Sequence, residues 1–328
     1  TLLALFATVA AAAAADGPFT PHFLEFLKKD ENAAKFVVGI AYEQHKDEYG
    51  SFGGKSGDGE KIKNRPIVFI HGNSDYALHR PERTVETGWS KSVEHFKKNG
   101  YTGAELYGLT YGSGDVATGA LNNSIKCEYV KTHRYFIERV LAYTESPQID
   151  IIAHSMGATI ARMVLQGGEF TLAGEKCELG PSLKGKTRTL VSIAGAHYGM
   201  CLCLMLPGVL SCGDEGFSAG SCSSTTNSTM AACQEYKAAE GDTISYSKLL
   251  QEVNKRSKAE GKEAERIATM FSKDDNILGA GNIAWGRQTS LLPGTDFNRE
   301  YSNLTHFEAK DNTVDSQYEL VHDASGAN

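Results

Sequence analysis

A regular alternation of short apolar segments with longer amphipathic ones limits this chain to few folds. The apolar segments are rich in β-branched residues, which is typical of buried strands, and the intervening segments carry apolar residues at helical spacing. Strands that alternate with helices form a parallel sheet covered on both faces. We therefore predict an α/β fold with a mostly parallel central sheet: strands at 65–72, 104–111, 149–153, 187–195 and 265–271, and helices at 84–98, 126–145, 156–166, 245–258 and 311–322.

Composition narrows the classes of protein that the chain can be. Its 328 residues are 41% hydrophobic and 22% charged, which is ordinary for a globular protein with a sizeable core. The net charge is −7, and the basic residues of segment 254–266 alternate with acidic ones, so no surface for nucleic acid is expected. We expect a single domain over residues 16–328 and no stable protein partner.

The first fifteen residues differ from the rest of the chain. They are apolar through Ala15, and the chain turns polar at Asp16. Such a run is too short to span a bilayer comfortably, and small residues before Asp16 are typical of a signal-peptidase site. We interpret residues 1–15 as part of a signal peptide, rather than as a buried helix, and expect a secreted protein.

Cysteines and glycosylation motifs agree with secretion. Five of the seven cysteines fall within 33 residues, and none has the C-x-x-C spacing of a zinc site. In an exported protein they predict a loop held by disulfides, with one thiol left over. Sequons at Asn122, Asn227 and Asn303 predict N-linked glycans.

Residues 197–243 interrupt the alternation of strands and helices. They combine the five clustered cysteines with many Gly, Ser and Thr residues and show little periodicity. We predict a cysteine-rich insertion at the carboxyl edge of the sheet. Its apolar stretch from Tyr198 to Leu210 is either a lid that faces lipid or a structural cover with its side chains packed inward, and the sequence leaves both open.

Ser155 lies where a predicted strand meets a predicted helix, in the stretch IDIIAHSMGATIAR (149–162). A nucleophile elbow holds its serine on a sharp turn at such a junction, so the residues two positions away on either side must be small. Here they are Ala153 and Gly157, whereas the usual pattern has glycine at both positions. The strand–turn–helix setting makes Ser155 the candidate nucleophile.

A serine nucleophile needs an acid and a base, and in this kind of fold both follow it in the chain, the acid first. Asp274 and Asp275 come directly after the strand at 265–271, at the edge where catalytic groups of α/β sheets collect. His306 lies in a loop before the last predicted helix, whereas His322 falls within or after that helix. His306 is therefore the better candidate base.

Two backbone N–H groups are expected to form an oxyanion hole. One belongs to Met156, directly after Ser155 at the start of a helix. The other belongs to Asn73, in the turn that Gly72 allows after the strand at 65–72. We expect His71 and His154 to order these segments rather than to act as the base. This chemistry requires no metal and no other cofactor.

Four motifs, VFIHGNSD, AHSMG, MFSKDDNILG and LTHFE, occur in this order and resemble those of the class 2 lipases. That family includes small Bacillus lipases with an A-H-S-M-G elbow and secreted lipases of nematodes. The stretch 65–165 is also similar to an extracellular bacterial polyhydroxybutyrate depolymerase. The resemblance covers about 65–310 and implies an α/β-hydrolase whose nucleophile, acid and base are Ser155, Asp275 and His306, with oxyanion donors Asn73 and Met156.

Two details of the resemblance matter for the site. Asp275, rather than Asp274, falls at the family's acid position within S-x-x-D-x-I. The small bacterial enzymes carry little between the strand that ends in AGA and the acid, whereas more than 70 residues separate Gly195 from Asp275 here. The cysteine-rich insertion is therefore a departure from those enzymes.

The resemblance implies a secreted serine carboxylic-ester hydrolase, a lipase that cleaves acylglycerols or other lipid esters at a lipid–water interface. A polyester depolymerase or a general esterase on the same fold is the alternative. A catalytically inactive relative that binds lipid is a third hypothesis, which the four complete motifs disfavour.

Overall fold

A seven-stranded sheet forms the centre of the computed structural model, which describes residues 16–120 and 122–322. The order of the strands across the sheet is β1-β3-β2-β4-β5-β6-β7. Every pairing is parallel except that of β1 with β3, so the prediction of a mostly parallel sheet is confirmed. In chain order the strands are β1 (Ser51–Phe52), β2 (Ile67–Ile70), β3 (Leu106–Leu109), β4 (Ile149–His154), β5 (Thr187–Ile193), β6 (Arg266–Ser272) and β7 (Phe297–Tyr301).

Helices cover both faces of the sheet in two packed groups. The longer helices are α1 (Pro21–Lys28), α2 (Ser90–Lys98), α3 (Cys127–Thr144), α4 (Met156–Gln166), α5 (Lys248–Glu260) and α6 (Val314–His322). Helices α1, α3, α4 and α5 pack side by side with the π-helical segment Ala33–Tyr42, while α2 packs against α6. Because both faces are covered, β2 and β4 are buried along their whole length.

Shorter elements complete the chain. Three two-stranded ribbons pair Glu169–Leu172 with Glu175–Glu178, Ser221–Cys222 with Ile244–Ser245, and Ile283–Ala284 with Arg287–Gln288. Short α-helices are Val116–Gly119, Met230–Glu235 and Glu308–Asp311, and 3-10 turns are Lys184–Lys186, Cys201–Met205, Leu210–Cys212 and Ala280–Asn282.

Several predicted boundaries are wrong. The helix predicted from residue 84 begins only at Ser90, because Gly88 has a positive φ of 53° and bridges to Leu78 instead of continuing a helix. The last predicted helix, at 311–322, begins only at Val314, and the single turn Glu308–Asp311 before it is a separate helix. Strands β1 and β7 and the π-helical segment are additions to the prediction.

Disulfides hold the insertion as predicted. Cys201–Cys233 and Cys203–Cys212 lie within it, and Cys127–Cys177 joins α3 to the neighbouring ribbon. Cys222 is the leftover thiol and is buried. The three sequon asparagines, Asn122, Asn227 and Asn303, are all exposed.

No helix within residues 16–120 and 122–322 has both the length and the hydropathy to cross a bilayer. The predicted signal peptide at 1–15 lies outside the described residues.

Candidate active site

Ser155 forms the whole turn between a strand and a helix. Strand β4 ends at His154 and α4 begins at Met156, so Ser155 takes up the change of direction with φ 53° and ψ −126°. A non-glycine residue in such a conformation costs about 1–3 kcal/mol, which the surroundings have to offset. The N–H of Ser155 donates to the carbonyl of Ile193 at the end of β5, 2.8 Å away, and this bond helps to hold the turn.

Small residues let the chain come close to this turn. A Cβ placed on Gly157 would lie 2.4 Å from the carbonyl oxygen of His71 and 2.5 Å from that of Ile70. A Cβ on Gly72 would lie 2.9 Å from the Cβ of Ser155. The methyl group of Ala153, in contrast, is accommodated in the buried interior of β4. The elbow therefore needs glycine after the serine and accepts alanine before it.

His306 and Asp275 form a buried pair. The Nδ1 of His306 lies 2.7 Å from Oδ2 of Asp275, and their side chains are 3% and 0% exposed. Because an ionised carboxylate only accepts hydrogen bonds, Nδ1 of His306 carries the proton and Nε2 is left as an acceptor. The other carboxylate oxygen of Asp275 accepts the N–H groups of Ile277 and Leu278, each at 2.8 Å.

The charge state of Asp275 follows from these contacts. Burial acts to raise its pKa, but the electrostatic interaction with His306 and the hydrogen bonds to His306, Leu278 and Ile277 together outweigh burial and hold the pKa below 3.8. The neighbouring Asp274 is exposed, and its carboxylate accepts the N–H of Asn303 at 2.6 Å. Of the two acids that the sequence offered, Asp275 is the one that contacts His306.

A single cavity brings the predicted site residues together. Ser155, His306, Asn73 and Met156 all line a cavity of about 200 Å³, and Asp275 lies outside its lining, hydrogen-bonded to His306. The rest of the lining is mainly apolar and comes from the sheet's loops and from the insertion: Gly72, Val116, Ala120, His154, Ala196, Met200, Leu202, Leu206, Val209, Ser211, Cys212, Phe217, Ile277 and Phe307.

The loop that carries Asn73 is fixed by polar contacts. The Nδ2 of Asn73 donates to the carbonyl of Ala120 at 3.2 Å, and its Oδ1 accepts from the hydroxyl of Ser74 at 2.9 Å. His71 accepts the N–H of Tyr111 on Nε2 at 3.1 Å, so its Nδ1–H donates to the carbonyl of Gly72 at 2.7 Å. His71 therefore orders this loop and has no free nitrogen to act as a base.

Sequence reasoning missed a buried ion pair that joins two of these loops. The Nζ of Lys310 lies 3.2 Å from Oδ2 of Asp75, and both side chains are 0% exposed. Lys310 also donates to the hydroxyl of Thr87 at 2.9 Å and to the carbonyl of Gly88. Because Asp75 follows Asn73 and Lys310 follows His306, the pair links two loops, which we call the oxyanion loop (Asn73) and the base loop (His306) after their expected roles. The sequence signals that could have pointed to this pair are Asp75 at the end of the motif HGNSD and Lys310 two residues after the motif LTHFE.

Throughout residues 16–120 and 122–322, no group of three or more His, Cys, Asp or Glu side chains is arranged to hold a metal ion.

Comparisons with solved structures give only distant similarities. Aspergillus fumigatus lipase B is 13% identical with a TM-score of 0.46, and the alignment covers 93% of this chain but 58% of that one. A Paleococcus ferrophilus monoacylglycerol lipase is 12% identical with a TM-score of 0.45, over 80% of this chain and 97% of that one. A Bacillus licheniformis lipase in a propeptide form is 10% identical with a TM-score of 0.49, over 83% and 53%.

Comparison with families is decisive. No curated protein matches the chain. The model of the family described as Lipase (class 2) matches residues 64–319, which is most of the chain and includes all four motifs. The chain therefore belongs to the class 2 lipase family, whose members are carboxylic ester hydrolases.

Proposed function

We propose that this protein is a secreted serine lipase that cleaves carboxylic esters of lipids through an acyl-enzyme, with residues 16–328 as its single catalytic domain. Ser155 is the nucleophile, His306 the base and Asp275 the acid. The observation that carries the proposal is the buried His306–Asp275 hydrogen bond of 2.7 Å beside a cavity that Ser155 and His306 share.

The proposed reaction begins when the Ser155 hydroxyl attacks the ester carbonyl. Nε2 of His306, left unprotonated by the bond of Nδ1 to Asp275, takes the hydroxyl proton. Asp275 fixes this tautomer and stabilises the imidazolium, while remaining ionised itself. The imidazolium then donates its proton to the leaving alcohol, and a water molecule activated by the same histidine releases the acid.

Backbone donors stabilise the charge that develops on the carbonyl oxygen. Met156 is the first residue of α4, where N–H groups have no partner within the helix. Asn73 lines the same cavity on a loop held by its own side chain. Each donor to the oxyanion is worth about 3 kcal/mol of the barrier, so together they are a large part of the catalytic effect.

The decisive experiment replaces the nucleophile. Ser155→Ala should abolish hydrolysis of p-nitrophenyl esters while leaving the circular dichroism spectrum and melting temperature close to those of the wild type. A serine-directed phosphonate should label the wild type on Ser155 alone. Full activity in the folded alanine variant, or labelling of a different serine, would refute the assignment.

The cavity sets an expectation for the substrate. Its lining is mainly apolar, which suits an acyl chain, and its volume of about 200 Å³ is below the roughly 300–1,000 Å³ of sites that enclose a whole drug-sized ligand. We expect an acyl segment to enter while the rest of the lipid stays at the mouth. Rates on p-nitrophenyl esters of increasing chain length, on emulsified triglyceride and on a polyester film separate a lipase from a general esterase and a polyester depolymerase.

The insertion acts in this proposal as a fixed wall of the cavity that touches the lipid surface at its outer side. Met200, Leu202, Leu206 and Val209 face the cavity, and the disulfide Cys203–Cys212 closes the loop that holds the last two. On the same loop the side chains of Met205 and Leu210 are 64% and 58% exposed. A fixed wall predicts hydrolysis rates that rise smoothly as the ester passes its solubility limit, whereas a mobile lid predicts an abrupt rise at that point.

Secretion is supported by three independent features. Residues 1–15 have the composition of a signal peptide, three disulfides require an oxidising compartment, and three exposed asparagines lie in sequons. We expect the protein in the culture medium of an expressing eukaryotic cell to begin near Asp16 and to carry glycans. N-terminal sequencing and peptide mass mapping of that material test both expectations.

A further inference from the structure

His154, which precedes the proposed nucleophile, is buried among three parts of the site. Its Nε2 lies 3.1 Å from the backbone carbonyl oxygen of His306, and its side chain is almost fully buried. Its ring centroid lies 4.7 Å from that of His306. On the other side, a Cβ placed on Gly72 would come within 3.1 Å of its Nδ1. One side chain therefore contacts the elbow, the base loop and the oxyanion loop.

The contacts define which nitrogen of His154 carries a proton. A carbonyl oxygen accepts only, so the bond to His306 requires an Nε2–H donor. Nδ1 is buried and has no hydrogen-bond partner within the described residues. A cationic ring would place a second N–H at this unpartnered position, so the neutral Nε2–H tautomer is the one that fits.

The surroundings favour the same neutral form. Burial is the main cause that holds the pKa of His154 well below 6.5, and the electrostatic interactions with His306, Lys310 and His71 lower it further. The hydrogen bond to the carbonyl of His306 opposes them only in part. A neutral ring also matters for the reaction, because a positive charge here would repel the imidazolium that His306 becomes.

We infer that His154 is a positioning residue. Its neutral Nε2–H donates to the backbone carbonyl of His306 and thereby fixes the position of His306 relative to Ser155 and Asn73. The inference rests on the proposed function, since it gives His154 a task only if His306 is the base. His154 lines the cavity beside Ser155, and the task inferred for it is to fix where the ring of His306 stands relative to the serine hydroxyl. A displacement of that ring should slow proton transfer and leave ester binding almost unchanged.

Two amide substitutions of His154 separate the effect of the Nε2–H donor from the effect of the ring's volume. The amide nitrogen of glutamine reaches the place of Nε2, whereas that of asparagine reaches only the place of Nδ1. We expect His154→Gln to keep kcat within about threefold, and His154→Asn to lower kcat about 10- to 100-fold with KM within about twofold. Turnover is measured on a soluble p-nitrophenyl ester and counted per phosphonate-titrated active site, so that inactive molecules do not contribute.

Two controls make the result unambiguous. His133→Asn replaces another fully buried histidine, which hydrogen-bonds the carbonyl of Tyr129 within α3, and should leave kcat unchanged. His154→Phe keeps a planar ring without a donor and should lose kcat as the asparagine variant does, which covers the case that His154→Asn does not fold.

The outcomes that overturn the inference are specific. Equal kcat in the wild type and in folded His154→Asn or His154→Phe would show that the donor does not position His306. A large loss in His154→Gln at unchanged KM would do the same. Failure of the proposed function appears differently, as a wild-type protein that hydrolyses no ester or a Ser155→Ala variant that still does.

Discussion

Two adjacent acids, Asp274 and Asp275, show what a single position contributes to the site. Asp275→Asn keeps the amide oxygen that can accept the N–H groups of Ile277 and Leu278, but removes the charge that supports His306. We expect kcat to fall at least about 100-fold, because the histidine can adopt the wrong tautomer and its cation loses a partner. Ester hydrolysis and thermal melting measure the two effects.

Asp274→Asn is the matched control for that change. Its side chain is exposed and contacts the backbone of Asn303 rather than His306, so we expect an unchanged kcat. Equal losses in the two variants would mean that the loop, and not the carboxylate at 275, is what the reaction needs.

Ala153 and Gly157, the two small residues around the proposed nucleophile, are expected to differ in how well they tolerate substitution. In Gly157→Ala the new methyl group would overlap the carbonyl oxygens of His71 and Ile70, so a loss of about 1–3 kcal/mol of unfolding free energy and a lower kcat are expected. Ala153→Gly restores glycine at both positions and should cost only about 0.5–1 kcal/mol, with kcat unchanged. Urea unfolding and ester hydrolysis of both variants test this asymmetry, and an equally stable Gly157→Ala protein would contradict it.

The role of a single residue can be predicted from the sequence when the structural requirement involves only its neighbours in the chain. The strained turn at Ser155 needs small neighbours within two residues, and both are visible in AHSMG. The contact of His154 with the carbonyl of His306 spans 152 residues, and the Lys310–Asp75 pair spans 235. No local pattern encodes such pairs, so they become visible only when the fold brings the loops together.

Among the elements, buried strands are the most predictable. Strands β2 and β4 are apolar throughout because they are buried on both faces, and their apolar runs stand out in the sequence. Strand β7 is an edge strand with mostly exposed residues, so the alternation or apolar run that would reveal it is missing. The predicted start of α2 at residue 84 is wrong for a different reason. Tertiary contacts of Gly88 with Leu78 and Lys310 override a locally helical sequence pattern.

Measurements of stability can test whether the buried pair of Lys310 and Asp75 joins the base loop to the oxyanion loop. Lys310→Met leaves the buried carboxylate of Asp75 without its cation, and breaking a buried pair in this way typically costs about 3–5 kcal/mol. We expect the free energy of unfolding, measured in urea, to fall by that amount and the remaining folded enzyme to have a lower kcat, since the two loops are no longer joined.

Lys91→Met serves as the control for this substitution. Lys91 is exposed, and its Nζ donates to the side chain of Asn312, so its replacement should change the unfolding free energy by less than about 0.5 kcal/mol. Similar stability in both variants would show that the buried pair does not hold the loops together.

For the molecule as a whole, topology explains why four distant segments meet. Strands β2, β4, β5 and β6 run parallel, so their carboxyl ends lie at one edge of the sheet. The loops that carry Asn73, Ser155 and Asp275 leave from that edge, and the insertion that follows β5 leaves from it too. The order of motifs along the sequence therefore predicts the site, whereas the wall that the insertion forms over it depends on packing and disulfides that spacing alone does not give.

Buried histidines are expected to dominate the response of the whole protein to acid. Burial lowers the pKa of His71, His133, His154 and His197, to about 4 in the case of His133. In the unfolded chain these groups titrate near the ordinary value of about 6.5, so below that pH the unfolded state binds more protons than the native state. The stability that these neutral histidines provide is complete above about pH 6.5 and is lost as the pH falls from there to the lowered folded-state pKa values.

This linkage can be measured as a slope. Each histidine that is neutral when folded and charged when unfolded contributes up to about 1.4 kcal/mol per pH unit, and four together up to about 5.5 kcal/mol per pH unit. Urea unfolding between pH 7 and pH 4 should show a steep loss of stability. His133→Asn removes one titrating group while keeping a donor for the carbonyl of Tyr129, so the difference in unfolding free energy between wild type and variant should shrink by about 1.4 kcal/mol per pH unit below pH 6.5. A difference that does not change with pH would mean that His133 is protonated in the folded protein, and would exclude this histidine as a source of acid sensitivity.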